Sequence, residues 1–158
     1  EPLVEGGTIT AAVSSQTCDG SSAMLVVSEA ALKRYNLTPR ARILATAEAN
    51  VAITQTGAVD ASRLALQRAG LDAKDIDLWE VRDSFAAVTL HYIRTLGLDM
   101  ERFNVNGSSI AIGHPLGATG AMLVSTLLDE MEARDLRYGV VAIAGAAGVA
   151  SASVIERL

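Results

Sequence analysis

The residues best equipped for chemistry lie in one run: Asn104-Val105-Asn106-Gly107-Ser108-Ser109-Ile110-Ala111-Ile112-Gly113-His114-Pro115-Leu116-Gly117-Ala118-Thr119-Gly120. It sets a single histidine in a glycine-rich turn ahead of a long apolar stretch. Gly113, Gly117 and Gly120 permit tight backbone and close approach by a partner molecule. A helix starting beyond Pro115 would present free N–H groups and positive dipole potential to an anion or a developing oxyanion. A histidine held there titrates near neutrality and suits the work of a general base. The bland alternative is that His114 caps the helix and the glycines serve packing, since a short motif acquires meaning only from its context.

That context is distributed along the chain. Asn104-Val105-Asn106-Gly107 precedes the Gly-His-Pro-Leu-Gly-Ala-Thr-Gly pattern, and a β-rich Gly/Ala segment follows it to Gly148. Upstream stand Gly7-Thr8-Ile9-Thr10-Ala11, Ser15, Asp19-Gly20, Ala61-Ser62-Arg63 and Ala69-Gly70. Together these resemble the C-terminal half of a thiolase, over essentially the whole chain. Thiolases make and break carbon–carbon bonds in acyl-CoA thioesters.

The resemblance implies a set of roles. Such chemistry needs a thiolate to hold the acyl group, a base to activate it, a second acid/base for the α-carbon proton, and donors aimed at two thioester oxyanions. By resemblance His114 is the base that activates the nucleophilic cysteine. That cysteine belongs to the N-terminal half, which this chain lacks. Ser15 matches the serine that touches the CoA pantetheine arm, although Val13 and Gln16 depart from the usual Asn and Gly; Ser84 and Phe85 match positions near the pantetheine channel. The coenzyme A thioester enters as substrate, with no further cofactor and no metal implied.

Two departures stand out. The second catalytic cysteine lies in a Cys-x-Gly-Gly-Gly-x-Gly run at the end of the penultimate strand, and here Ala142-Ile143-Ala144-Gly145-Ala146-Ala147-Gly148 is set against it. Ala142 carries nothing ionisable, while Ala144 retains a backbone N–H for an oxyanion. The family's Asn-Glu-Ala-Phe-Ala-like sequence is replaced by Arg82-Asp83-Ser84-Phe85-Ala86. Arg82 suits an anion or an enolate charge, or else a surface pair with Asp83 or Glu80; its forked, permanent charge makes it no isostere of asparagine. Cys18 stands where the family has asparagine before Asp-Gly and reads as a packed thiol. His91 reads as structural, and the loop at residues 48–55 is slightly short against the family pattern.

Composition narrows the setting. The 158 residues are 50% hydrophobic but only 4% aromatic, which suits one domain, residues 1–158, with an aliphatic core. A net charge of -5 and a sequence pI near 5.0 argue against nucleic acid as a partner. One cysteine and no signal-peptide pattern point to a reducing, cytoplasmic setting. No window approaches the ~20 apolar residues of a membrane span. A first residue of glutamate suggests a piece of something longer.

The elements that must position these residues follow from patterning. Residues 23–27, 41–46, 77–81, 138–144 and 149–155 read as strands. Helices are expected at residues 29–35 behind Ser28, from an Asp60 cap to residue 69 with Gly70 as stop, over 84–96 ended by Gly97, and over 117–133. Residues 50–57 read as a loop. The small residues opening the last helix suggest close burial, and the cluster Asp129, Glu130, Glu132, Arg134, Asp135 and Arg137 reads as its solvated end. The alternation predicts an α/β fold: a mixed, largely parallel five-stranded sheet with helices on both faces. In thiolases two such halves pack with central helices between sheets, so a lone half exposes an apolar face and calls for the missing N-terminal half or a homo-oligomer. Two functions remain: the C-terminal domain of a thiolase-like acyl-CoA C-acyltransferase, incomplete alone, or a degenerate non-catalytic subunit that binds acyl-CoA or a protein.

Overall fold

A computed structural model describes residues 1–52 and 55–158. Its elements are α1 (Glu29–Tyr35), β1 (Ala41–Asn50), α2 (Gly57–Ala69), β2 (Leu78–Val81), α3 (Ala86–Leu96), α4 (Ser109–Ile112), α5 (Thr119–Ala133), β3 (Tyr138–Ala144) and β4 (Val149–Arg157). The sheet runs β1-β4-β3-β2. Only β2 and β3 are parallel; β3–β4 and β4–β1 are antiparallel. The sheet is mixed as expected, but not largely parallel, because the short Gly145–Gly148 connection can only return the chain antiparallel.

Two cores flank the sheet. On one face α2 and α3 bury Val59, Ala61, Ala65, Leu66, Tyr92 and Ile93 against Val81, Val140, Ala142, Ala152 and Val154. On the other, Leu123, Leu127, Leu128 and Met131 of α5 cover Leu78, Val141 and Ile155. Strand alternation sends adjacent residues of β3 to opposite cores. The aliphatic reading of the core holds with one exception. Trp79, Tyr92 and Phe103 form a small aromatic cluster with ring centroids 6.0 and 5.8 Å apart. The Tyr92 hydroxyl meets Ser62 Oγ at 2.7 Å, which satisfies both buried groups.

The caps follow the sequence closely at helix ends and less well at helix starts. Ser28 accepts the Ala31 N–H, and Asn36, Gly70 and Gly97 close α1, α2 and α3 in the left-handed region. α2 begins at Gly57, not behind Asp60, which instead sits in its first turn where a carboxylate favours the dipole. A Cβ on Gly57 would lie 3.1 Å from Ala150, so the glycine lets the helix start hard against β4. The expected loop at residues 50–57 includes Ile53 and Thr54, which lie outside the described residues. α5 starts at Thr119 after a single 3-10 turn at Leu116–Ala118, two residues later than expected.

Among the described residues the expected fifth strand does not form. Residues 23–27 pair with no strand, and Leu25 and Val26 are 76% and 69% exposed. Their apolar side chains are left largely exposed, with only Val27 partly buried. Small residues at the start of α5 are likewise only half-buried, and Leu116 is 65% exposed. Among the described residues no helix is long and apolar enough to cross a membrane.

Candidate active site

The carboxyl ends of the parallel pair β2 and β3 form the floor of the site. Asn104 fixes the end of β2: its Oδ1 accepts the Val81 N–H and its Nδ2 donates to the Val81 carbonyl, both at 2.8 Å. The Ser108 hydroxyl donates to the same carbonyl at 3.2 Å. Asp83 Oδ1 then accepts the Ile110 N–H at 2.9 Å, so the carboxylate caps the short α4. The segment from Asn104 to α4 is thereby laced to the strand end, and it delivers Gly113 and His114 to a fixed place.

His114 is held at three points. Its N–H donates to the Gln16 carbonyl at 2.7 Å, and its carbonyl accepts the Cys18 N–H at 3.4 Å. Its Nδ1 lies 2.8 Å from Thr119 Oγ1, in the first turn of α5. With Nδ1 engaged, Nε2 is the nitrogen left to work. Burial pushes the imidazole below its ordinary range, and the Arg82 charge pushes it further the same way. At neutral pH the ring is therefore unprotonated, the form a base requires.

The segment around Ser15 ties the remaining candidates together. Ser15 donates its N–H to the Ser84 carbonyl at 2.9 Å, Ser14 bridges Phe85, and Thr17 bridges His114. Ser15, Ser84, Phe85 and His114 thus line one stretch of chain. Ser15 and Phe85 are half-buried, and Ser84 is buried with its Oγ unpartnered.

Arg82 closes the floor. Its backbone N–H continues the parallel ladder to the Ala142 carbonyl at 3.0 Å, and its Nη1 donates to the Ala144 carbonyl at 2.8 Å. It forms no ion pair with Glu80 or Asp83, so the surface pair is not what the structure shows. Ala142 lies two residues inside β3, wholly buried in the α2 core, whereas Ala144 is the last residue of the strand. The strand-end position beside Arg82 is Ala144, and it bears only a methyl group.

Other candidates fall outside. Cys18 is exposed, which corrects its reading as packed, although its Sγ lies against the Gly113 backbone. His91 is on the exposed side of α3. The charged cluster ending α5 is a pairing network, with Arg40 bound to Asp129 and Glu132, and Arg134 to Glu130. Sequence reasoning named Thr119, Asn104, Asp83 and Glu80 but not the positions they hold: Thr119 against the histidine ring, Asn104 and Asp83 tying the strand end to α4, and Glu80 buried in β2. A signal was present: two carboxylates in Leu-Trp-Glu-Val-Arg-Asp, where a buried strand should have none.

A mixed sheet with helices on both faces and a positioned histidine near its strand ends makes this an α/β domain whose function has to be read from its site. The chain matches thiolase, C-terminal domain, over residues 37–157, and it belongs to the thiolase family. It is 44% identical over 160 residues to a steroid 3-ketoacyl-CoA thiolase of Mycobacterium tuberculosis, covering 100% of this chain and 39% of that protein. It is 46% identical over 157 residues to a 3-ketoacyl-CoA thiolase of Yersinia pestis, covering 96% and 41%. The Bacillus anthracis acetyl-CoA acetyltransferase structure superposes with a TM-score of 0.96 at 35% identity, covering 100% of this chain and 41% of that one. Human mitochondrial 3-ketoacyl-CoA thiolase gives 0.80 at 39%, covering 83% and 34%. The chain thus spans about two fifths of the curated relatives' length.

Proposed function

We propose that this chain is the C-terminal domain of a thiolase-type acyl-CoA C-acyltransferase, in which His114 activates a cysteine supplied by an N-terminal half. The observation that carries this reading is the bond from His114 Nδ1 to Thr119, which leaves Nε2 free in an imidazole kept neutral. Nε2 takes the thiol proton, the thiolate attacks the carbonyl of an acyl-CoA, and the proton is then available to the departing group. Ser15, Ser84 and Phe85 flank the thioester's pantetheine arm. Backbone N–H groups, that of Ala144 among them, serve the oxyanion.

The unpaired apolar run at 23–27 and the half-covered start of α5 support docking of the missing half, with homo-oligomers of the whole protein beyond that. A cytoplasmic setting suits the single exposed thiol. The test is thiolysis of acetoacetyl-CoA by free CoA, using the complete protein. Turnover should fall by about 10²–10⁴ in His114→Ala. A variant as active as the parent would end this reading.

A second reading rests on one observation: neither Ala142 nor Ala144 can remove a proton from an α-carbon. A subunit that binds acyl-CoA without turnover would show tight CoA binding in the same experiment and no thiolysis.

A further inference from the structure

Two neighbours just past the end of β2, Asp83 and Ser84, hold the His114 turn by separate routes. The Asp83 side chain reaches α4, where its Oδ1 accepts the Ile110 N–H at 2.9 Å. One helical turn later the chain arrives at Gly113 and His114. The Ser84 carbonyl takes the other route, accepting the Ser15 N–H at 2.9 Å, and the following residue, Gln16, accepts the His114 N–H at 2.7 Å. Together the routes close a circuit that runs from Asp83 through α4 to His114, and back through Gln16 and Ser15 to Ser84.

The Asp83 link is an unusual cap. Ser108 is the N-cap of α4, a residue type that ordinarily caps with its own side chain, yet its hydroxyl goes to the Val81 carbonyl and caps nothing. The first N–H groups of α4 are left to a carboxylate 27 residues away in sequence. Asp83 is only 8% exposed, and taking a carboxylate out of water carries a cost that a serine cap avoids. The N–H groups of Ser109 and Ile110 and the adjacent Arg82 charge offset that cost. A local cap fixes the helix alone, whereas a cap sent from β2 fixes where the helix stands against the sheet end.

We propose that Asp83 is a positioning residue: by holding α4 to the end of β2 it sets where the His114 imidazole meets the nucleophile, and it acts on turnover through His114 alone. The inference rests on the reading of His114 as the activating base and adds the residue that places it. An oxygen on one side is not enough. Asparagine has the shape of Asp83, but its amide nitrogen is a donor, and the Ser109 and Ile110 N–H groups that face the carboxylate are donors too. The start of α4 then shifts, and catalytic geometry responds steeply to displacements of about 1 Å.

The test is a double-mutant cycle in the complete protein, read by thiolysis of acetoacetyl-CoA and by calorimetric CoA affinity. Asp83→Asn should lower kcat about tenfold or more. CoA affinity should stay at the parent value, which also reports a folded site. In the His114→Ala background the same substitution should change the residual kcat little, because residues that act as one unit are not additive. Asp83→Glu keeps the charge and both acceptors and should lose less kcat than the asparagine variant. Parent-like kcat in Asp83→Asn overturns the proposal. An equal fold-loss in both backgrounds overturns it as well, since the effect of Asp83 then bypasses His114. Should Asp83→Asn lose CoA binding, Asp83→Glu takes its place in the cycle and is judged by the same outcomes. A second loss of CoA binding leaves Asp83 a role in the fold alone and overturns the proposal. A His114→Ala protein as active as its parent overturns the reading of His114, and this inference with it; the outcomes at Asp83 overturn this inference alone.

Discussion

The Nδ1 of His114 and the Oγ1 of Thr119 lie 2.8 Å apart, joining the turn that carries the histidine to the first residue of α5. Thr119 is itself buried, so its hydroxyl is fixed by packing and fixes the ring in turn. Replacing Thr119 by valine keeps the shape and removes the bond. The complete protein should lose about tenfold or more in kcat with little change in CoA affinity, and Thr119→Ser should restore most of it. Unchanged kcat in the valine variant would show that the ring needs no such partner.

The charge on Arg82 lowers the affinity of His114 for a proton. Thiolysis by the complete protein should therefore lose activity on the acid side only below the ordinary histidine range. Removing the charge in Arg82→Gln lets the imidazolium form more readily, so the acid limb of the pH profile should move to higher pH. A limb that stays in place, or moves down, contradicts the electrostatic link.

Glu80 titrates near 8, raised first by burial and then by the charges of Asp83 and Glu130. Between its ordinary value near 4.5 and about 8, the folded protein holds a proton that the unfolded chain releases. Stability contributed by the neutral acid is present at low pH and is lost as pH rises through that window. Glu80→Gln stays neutral throughout. Chemical denaturation of both proteins should show the variant gaining on the parent by at least ~1.4 kcal/mol, the worth of one pKa unit, between about pH 5 and about pH 8. A difference independent of pH would exclude a buried, neutral Glu80.

Gly113 has φ 93° and ψ 170°, a backbone region open essentially to glycine alone. A Cβ there would also stand 2.5 Å from Cys18 Sγ. Gly113→Ala should cost about 1–3 kcal/mol of stability and lower kcat by displacing His114. The double variant Gly113→Ala, Cys18→Gly should recover only the steric share. Full recovery would show that the backbone conformation carries no strain.

Much of the fold was legible along the chain. Helix stops at Asn36, Gly70 and Gly97 are local events, decided by residues that tolerate left-handed backbone. Four of five expected strands formed, since an apolar run paired within this chain reads the same from sequence as from structure. The fifth, at residues 23–27, failed for a reason sequence cannot express: a strand needs a neighbour, and among the described residues this segment pairs with none. Strand direction was misjudged for a related cause, because the tight Gly145–Gly148 connection, and not the helix count, set the antiparallel return.

His114 and its glycine-rich turn are written in the sequence, because chemistry of that kind demands particular residue types at short spacing. So is the loss of an ionisable group at Ala142 and Ala144, whichever is placed at the strand end. What only the tertiary structure decided is which groups meet. The hydroxyl of Thr119 on Nδ1 and the reach of Arg82 to the Ala144 carbonyl both arise where separate segments converge. Such pairings depend on the direction of side chains in space, which spacing along a chain does not specify.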